Sequence, residues 1–124
     1  MEPLTIKHTH NSLEVSLDAS AGKLLFAGRS YPENSVAFFK PIMDWVEAYA
    51  LNPNSKTECT CKLEYVNSAS RKCFVDIFKI LESIYKNEKE VTIVWTSDAG
   101  DDAMREMGEE YENMFKMKFV FEEM

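Results

Sequence analysis

The sequence is poor in the residues that build long loops and disulfide frameworks. It contains only four glycines and four prolines among 124 residues, so long stretches without secondary structure are not expected. Its three cysteines are an odd number, which argues against a disulfide framework and favours reduced thiols in the cytoplasm. We find no apolar run of membrane-spanning length and no signal-peptide pattern. We therefore expect one cytoplasmic domain covering residues 1–124, with residues 1–11 mobile.

Positive charge is also in short supply. The formal net charge is −7, and a protein this acidic repels polyphosphate backbones, so nucleic-acid binding is not expected. The acidic residues are concentrated toward the end of the chain, where residues 101–124 contain eight acidic and three basic residues. Such a surface is either simply solvated or docks a basic partner.

The residues needed for familiar catalytic sites are scarce. The only histidines are His8 and His10, both in the segment expected to be mobile, and neither a glycine-rich phosphate loop nor an HExxH motif is present. A metal site combining these histidines with Cys59 and Cys61 is disfavoured, because the two pairs lie far apart in the chain. We therefore expect a protein that is not an enzyme and that has no cofactor and no metal site.

Hydrophobic periodicity, by contrast, is clear and predicts an α/β fold. Alternating apolar residues predict strands, and apolar residues at helical spacing predict helices. The predicted strands cover residues 13–17, 23–29, 58–65, 91–95 and 118–122, and the predicted helices cover approximately residues 39–49, 73–85 and 102–114. The order ββαβαβαβ indicates a mixed four- to five-stranded sheet with an N-terminal β-hairpin, three or more helices and parallel later strands.

Several positions within these elements lead to more specific expectations. Residues 91–95 are mostly apolar, which is typical of a central strand covered on both faces. Tyr65 continues the alternation of Cys59, Cys61 and Leu63, which predicts that it faces the core.

Two of the predicted helices contain residues that disfavour a helix. Pro41 should kink the first helix, unless the regular helix begins only around residue 40. Gly108 should weaken the third helix by about 1 kcal/mol, and Asp101 is its expected cap.

Ser68 lies where the third predicted strand runs into the second predicted helix. A side chain at such a junction is exposed and surrounded by the unpaired N–H groups of the helix start. One interpretation is that Asn67, Ser68 or Ser70 only caps the helix. In the other interpretation the hydroxyl accepts a phosphate, whose negative charge a helix start tolerates, and Arg71 and Lys72 pair with that phosphate or with an acidic partner.

Two groups of motifs resemble the SiaC family of bacterial regulatory phosphoproteins, and the resemblance covers almost the whole chain. The first is SYPENS at residues 30–35 followed by DWVE at residues 44–47. The second is LEYVNSAS at residues 63–70 followed by Lys72 and by DIF at residues 76–78. The resemblance implies a fold similar to the STAS domain of anti-sigma-factor antagonists, and a role as a partner switch.

The resemblance also implies a set of partners. A serine/threonine kinase that resembles anti-sigma-factor kinases phosphorylates the strand–helix junction, and a PPM-type phosphatase removes the phosphate. The unphosphorylated protein binds and activates a GGDEF diguanylate cyclase, which raises cyclic di-GMP and favours aggregation or biofilm growth. The acceptor aligns with Ser68, where a family member carries threonine, and Ser70 is the second candidate.

Loops at strand ends gather on one edge of such sheets, so residues from both junctions are expected to contact partners. The partner-binding candidates are Tyr31, Glu33, Asn34, Asn67, Arg71 and Lys72. The alternative to this switch is a constitutive STAS-type module that binds a protein or a small ligand, in which Ser68 is only a helix cap.

Overall fold

Three helices and one six-stranded mixed sheet make up the computed structural model, which describes residues 1–124. The α/β class and the three helices agree with the sequence-based prediction. The elements in chain order are β1 (Leu4–Ile6), β2 (Glu14–Asp18), β3 (Lys23–Ser30), α1 (Ser35–Ala50), β4 (Lys56–Val66), α2 (Ser68–Lys86), β5 (Glu90–Ser97), α3 (Asp102–Met114) and β6 (Lys118–Glu123).

The strands lie in the sheet in the order in which they occur in the chain. The pairs β1–β2 and β2–β3 are antiparallel, and the predicted hairpin is present as β2–β3. The pairs β3–β4, β4–β5 and β5–β6 are parallel, as the alternation of strands and helices predicted. Parallel neighbours place their carboxyl ends at one edge of the sheet, which matters for the site described below.

The sheet has six strands, so the expected count of four to five is wrong. The missed strand is β1, which lies within the segment expected to be mobile. Leu4 of this strand pairs with Leu17, and the Trp45 Nε1–H donates a hydrogen bond to the Glu2 carbonyl at 2.9 Å. Three residues are too few to establish an alternating pattern, so contacts made by distant residues define this strand instead.

All three helices pack against one face of the sheet. The crossovers from β3 to β6 advance in one direction, and right-handed crossovers of that kind place every helix on the same side. A single core of 28 buried hydrophobic residues lies between the helices and the sheet. The expectation that residues 91–95 are covered on both faces is therefore wrong, because Thr92 and Val94 lie partly exposed on the open face.

Helix α1 begins well before its proline. Its first residue is Ser35, and the Asn34 side chain caps it by accepting a hydrogen bond from the Ala37 N–H at 3.0 Å. Pro41 lies inside the helix, so the alternative of a regular helix starting only around residue 40 is wrong. The cap places the helix start directly after the segment 31–34, at the carboxyl edge of the sheet.

Helix α3 packs closely on β5 at Gly108. A Cβ atom at this position would lie 2.5 Å from the Trp95 ring, which is far closer than real Cβ atoms approach other atoms. The Trp95 Nε1–H also donates to the Met104 carbonyl at 2.9 Å. The glycine that lowers helix propensity is therefore the residue that allows α3 to approach the sheet. None of the three helices combines the length and apolarity needed to cross a bilayer.

Candidate functional site

Two strand–helix junctions lie side by side at the carboxyl edge of the sheet. Ser30 ends β3 and pairs in register with Val66, which ends β4. The Asn67 N–H donates a hydrogen bond to the Ser30 carbonyl at 2.9 Å, which joins the second junction to the first. The segment 31–34 and the start of α2 therefore form one continuous surface.

Ser68 is the first residue of α2, and its side chain is exposed. Its hydroxyl forms no hydrogen bond within the protein. The neighbouring Asn67 caps the helix instead, because its Oδ1 accepts a hydrogen bond from the Ser70 N–H at 2.8 Å. The interpretation in which Ser68 itself caps the helix is therefore wrong. The structure leaves the Ser68 hydroxyl available at a helix start that is already capped.

Ser70 lies in the opposite situation, although it is only two residues further along the helix. Its exposed fraction is 0%, and its Oγ accepts a hydrogen bond from the Ser30 Oγ at 2.7 Å. The Ser35 Oγ lies 3.3 Å from the Ser70 Oγ, within hydrogen-bonding distance. The two serines considered as phosphate acceptors thus differ in access to solvent and in the use of their hydroxyls.

The two basic residues near Ser68 have different environments. The Arg71 Nη2 contacts the Glu110 Oε2 of α3 at 2.9 Å, and the Arg71 carbonyl accepts a hydrogen bond from the Tyr111 hydroxyl at 3.0 Å. Arg71 therefore fastens α2 to α3. Lys72 is exposed, has no ion pair and lies four residues after Ser68, which places both side chains on the same face of the helix.

Tyr111 lies under this contact between α2 and α3. Burial raises the pKa of its phenol well above the ordinary value, and the nearby Arg71 guanidinium opposes part of that increase. The phenol is therefore neutral near pH 7, with its proton donated to the Arg71 carbonyl. This hydrogen bond fixes the start of α2 relative to α3.

The segment 31–34 presents an aromatic surface beside the junction. The Tyr31 and Tyr65 rings meet edge to face, with centroids 5.7 Å apart and an interplanar angle of 77°. The two side chains are 38% and 53% exposed, so the pair forms an aromatic patch that is open to solvent. Glu33 is also exposed, whereas the Asn34 side chain is used as the cap of α1.

Sequence reasoning placed Tyr65 in the core, and that prediction is wrong. The register between β3 and β4 shifts after Gly28, so that Gly28 pairs with Leu63 and Arg29 pairs with Tyr65. This irregularity breaks the alternation of the strand and turns Tyr65 outward. Gly28, with a φ angle of 105°, is the local signal of such a bulge within a predicted strand.

The cysteines and histidines do not come together in one site. Cys59 and Cys61 are buried on the helix-facing side of β4, and burial raises the pKa of the Cys61 thiol. His8 and His10 line an open cavity of about 400 Å³ with Arg29 and other polar residues. No group of three or more His, Cys, Asp or Glu side chains has an arrangement that could hold a metal ion.

Known proteins match both the sequence and the fold. Residues 6–124 match the SiaC family, which is described as a family of regulatory phosphoproteins. An uncharacterized protein of Pseudomonas aeruginosa is 30% identical over 122 residues, which cover 98% of this chain and 97% of that protein.

Solved structures extend the likeness. The crystal structure of apo-SiaC from Pseudomonas aeruginosa matches with a TM-score of 0.92 and 31% identity, covering 98% of this chain and 99% of that chain. A chain in the crystal structure of the diguanylate cyclase SiaD in complex with its activator SiaC, from the same organism, also matches with a TM-score of 0.92. Its identity is 30%, covering 98% of this chain and 99% of that chain.

The family match spans nearly the whole chain and includes both strand–helix junctions. The family consists of regulatory proteins, which agrees with the prediction that the chain is not an enzyme. The chain therefore belongs to the SiaC family of regulatory phosphoproteins.

Proposed function

We propose that this chain is a phosphorylation-controlled partner switch in cyclic di-GMP signalling. Its unphosphorylated form binds and activates a GGDEF diguanylate cyclase, and phosphorylation of Ser68 ends that binding. The observation that carries the proposal is the exposed, unbonded hydroxyl of Ser68 beside a cap supplied by Asn67. The SiaC protein of Pseudomonas aeruginosa, whose structure resembles this one, forms a complex with a diguanylate cyclase as its activator.

Exposure and electrostatics support Ser68 as the acceptor. A kinase must reach the hydroxyl, and Ser70 offers none of its surface to solvent while the fold is intact. The first turn of α2 contains no acidic residue. A phosphoserine there adds a charge of about −1.5 to −2 next to unpaired backbone N–H groups, which stabilise negative charge. Lys72, one turn later, is free to pair with the phosphate.

The partner surface that we propose centres on the aromatic pair of Tyr31 and Tyr65. Exposed tyrosines are frequent anchors of protein interfaces because each buries a large apolar ring and keeps a polar hydroxyl. Glu33 and Lys72 lie exposed at the same edge and supply charges of both signs. A new dianion on Ser68 would have to be desolvated by any partner that covers this surface, which explains why phosphorylation releases the cyclase.

The remaining partner-binding candidates act indirectly in this proposal. The Asn34 and Asn67 side chains cap α1 and α2, and the Arg71 side chain pairs with Glu110. Each of these side chains is engaged within the protein, so each positions the surface and does not anchor a partner. Sequence reasoning grouped them with Tyr31, Glu33 and Lys72 because it could not distinguish engaged side chains from free ones.

The finer parts of the proposal follow from the family resemblance. They are a serine/threonine kinase similar to anti-sigma-factor kinases, a PPM-type phosphatase, a cytoplasmic location, a STAS-type fold relationship and an effect on aggregation or biofilm growth. The kinase and the phosphatase both require an accessible serine, and the position of Ser68 is compatible with that requirement.

Incubation of the purified chain with its kinase and ATP tests the acceptor. We expect one phosphate per chain by intact mass, and we expect Ser68→Ala to abolish it. Ser83→Ala is the matched control, since Ser83 is an exposed serine of the same helix. Undiminished phosphorylation of Ser68→Ala would move the acceptor to another residue.

Affinity for the diguanylate cyclase tests the switch. Ser68→Asp should weaken binding at least about tenfold, because a buried unpaired carboxylate costs free energy at an interface. Ser68→Asn introduces a side chain with nearly the shape of aspartate but without its charge, and this variant should bind within about threefold of the wild-type protein. If Ser68→Asp bound and activated the cyclase as well as the wild-type chain does, the constitutive binding module would be the better description.

A further inference from the structure

Three serine hydroxyls form a buried cluster beneath the Ser68 junction. Ser30 ends β3, Ser35 begins α1 and Ser70 lies in the first turn of α2. Their exposed fractions are 0%, 5% and 0%. The Ser30 Oγ donates to the Ser70 Oγ at 2.7 Å, and the Ser70 and Ser35 Oγ atoms are 3.3 Å apart. The cluster therefore connects three elements that are distant in sequence.

One hydrogen bond of this cluster has an assigned direction, since the Ser30 hydroxyl donates to Ser70. Because Ser30 uses its hydrogen to donate to Ser70, the hydrogen of Ser70 is available for Ser35. Either hydroxyl can donate between Ser70 and Ser35, and the contacts run from β3 through α2 to α1. Buried hydroxyls are costly unless they are bonded, and bonded ones fix the relative positions of the elements that carry them. Alanines would fill this space without imposing that geometry.

Ser70 is also part of the helix cap next to Ser68. Its N–H donates to the Asn67 Oδ1 at 2.8 Å, while its hydroxyl belongs to the buried cluster. A phosphate on Ser68 would place strong acceptor oxygens near the N–H groups of the same first turn, where they compete with Asn67. A shift of the Ser70 backbone would change both of its hydroxyl contacts.

We propose that Ser70 is a positioning residue that couples the phosphorylation state of Ser68, through Ser30 and Ser35, to the start of α1 and the segment 31–34. Sequence reasoning treated Ser70 as a second phosphate acceptor, whereas in this proposal Ser70 transmits the effect of phosphorylation at Ser68. The biological consequence rests on the proposed function, since residues 31–34 belong to the proposed partner surface. The coupling itself depends only on the fold.

The coupling is tested with phosphoserine placed genetically at position 68 of the full chain. Backbone amide resonances are compared between the phosphorylated and unphosphorylated chains, in the natural background and in a Ser30→Ala/Ser70→Ala background. The double substitution removes donor and acceptor together, so no hydroxyl of that pair is left buried without its partner. In the natural background we expect shifts at Ala69 and also at Tyr31 and Val36.

In the double variant, the shifts at Tyr31 and Val36 should fall at least about twofold, while the shift at Ala69 persists. Ser83→Ala, the control, should keep the full pattern. Equal shifts at Tyr31 and Val36 in both backgrounds would overturn the proposal, because they would show a direct field effect of the charge. An absence of shifts at these amides in the natural background would overturn it too.

A second variant keeps the test decisive if the double variant does not fold. Ser35→Ala preserves the 2.7 Å bond between Ser30 and Ser70 and removes only the contact to α1, so it should reduce the shift at Val36 alone. An unchanged shift at Val36 would contradict the coupling. The experiment needs neither kinase nor cyclase, so its failure is distinguishable from failure of the proposed function, which the kinase reaction on Ser68→Ala reports.

Discussion

Helices α2 and α3 both follow a parallel strand, yet their starts differ in charge. Helix α3 is capped by Asp101, whose Oδ1 accepts from the Met104 N–H at 3.1 Å, and Asp102 adds a second carboxylate in its first turn. Helix α2 is capped by the neutral Asn67 and has no acidic residue in its first turn. The partial positive charge of the α3 start is already neutralised, whereas that of the α2 start is not.

This difference explains why one junction suits phosphate and the other does not. A dianion at the α2 start gains from the helix dipole, but a dianion at the α3 start would be repelled by two carboxylates. Asp101 and Asp102 therefore stabilise the start of their own helix and leave the α2 start as the favourable position for new negative charge. Four predictions test this contrast, beginning with the packing that holds α3.

Gly108→Val should have the largest effect. A side chain there would overlap the Trp95 ring, so we expect a loss of about 1–3 kcal/mol in the free energy of unfolding. Urea denaturation at neutral pH measures it. Asn113→Ala, on the exposed side of α3, is the control and should change stability by less than about 0.5 kcal/mol. A fully stable Gly108→Val would show that α3 does not need this close approach.

Removal of either cap should have the next largest effect. Asp101→Ala and Asn67→Ala should each cost about 0.5–2 kcal/mol, because each leaves a backbone N–H without its acceptor. The losses in the two variants should depend differently on salt, since only the Asp101 cap is charged. Thermal unfolding at low and high ionic strength would detect this difference. Ser68→Ala should stay within about 0.5 kcal/mol of the wild-type protein, because Ser68 is not the cap. A loss of 1 kcal/mol in Ser68→Ala would contradict the assignment of Asn67.

Tyr111→Phe removes the hydrogen bond that joins the two helices. We expect a loss of about 0.5–1.5 kcal/mol at pH 7. Burial raises the folded-state pKa of Tyr111 above its unfolded value of about 10, so the folded protein retains this proton when the unfolded chain loses it. The resulting stability is present below pH ~10 and declines as pH rises further. The wild-type protein should therefore lose more stability than Tyr111→Phe between about pH 9.5 and 11.5, as measured by urea titrations, and parallel losses would refute this explanation.

Single charges at the two helix starts should have the smallest effects, with opposite signs. Ser68→Asp adds a carboxylate to the α2 start and should stabilise the protein by about 0.3–1 kcal/mol at low salt. Asp102→Asn removes one from the α3 start and should destabilise it by a similar amount. Both effects should shrink at high salt, as thermal unfolding would show. If Ser68→Asp were destabilising at low salt, the α2 start would not be a favourable place for phosphate.

Much of the fold could be predicted because its signals are local. The order of the later elements follows from periodicity, and α3 begins after Asp101 and covers residues 102–114 as expected. The missed features depend on distant contacts. Three residues become β1 only through pairing with β2, and Tyr65 turns outward only because the register slips after Gly28. Val94 lies on the open face, and the sequence could not show this because a β-branched residue suits a strand whether or not a helix covers it.

The site shows the same division between local and tertiary information. Local sequence patterns establish that a strand runs into a helix at residues 67–70 and that serine hydroxyls lie there. They also contain a hint that Ser70 faces inward, because Ser70 lies four residues before Phe74 on the apolar stripe of α2. Ser68 is rotated roughly 200° from it around the helix.

The role of each hydroxyl depends on how the helices and strands pack together. The partners of Ser70 are Ser30 and Ser35, which lie 40 and 35 residues earlier in the chain and meet it only when β3, α1 and α2 pack together. No such partner reaches Ser68, because the packing of α1 and α3 leaves its face of the helix open to solvent. A local pattern can specify a helix start, but burial and hydrogen-bond partners depend on which distant residues the fold brings to it.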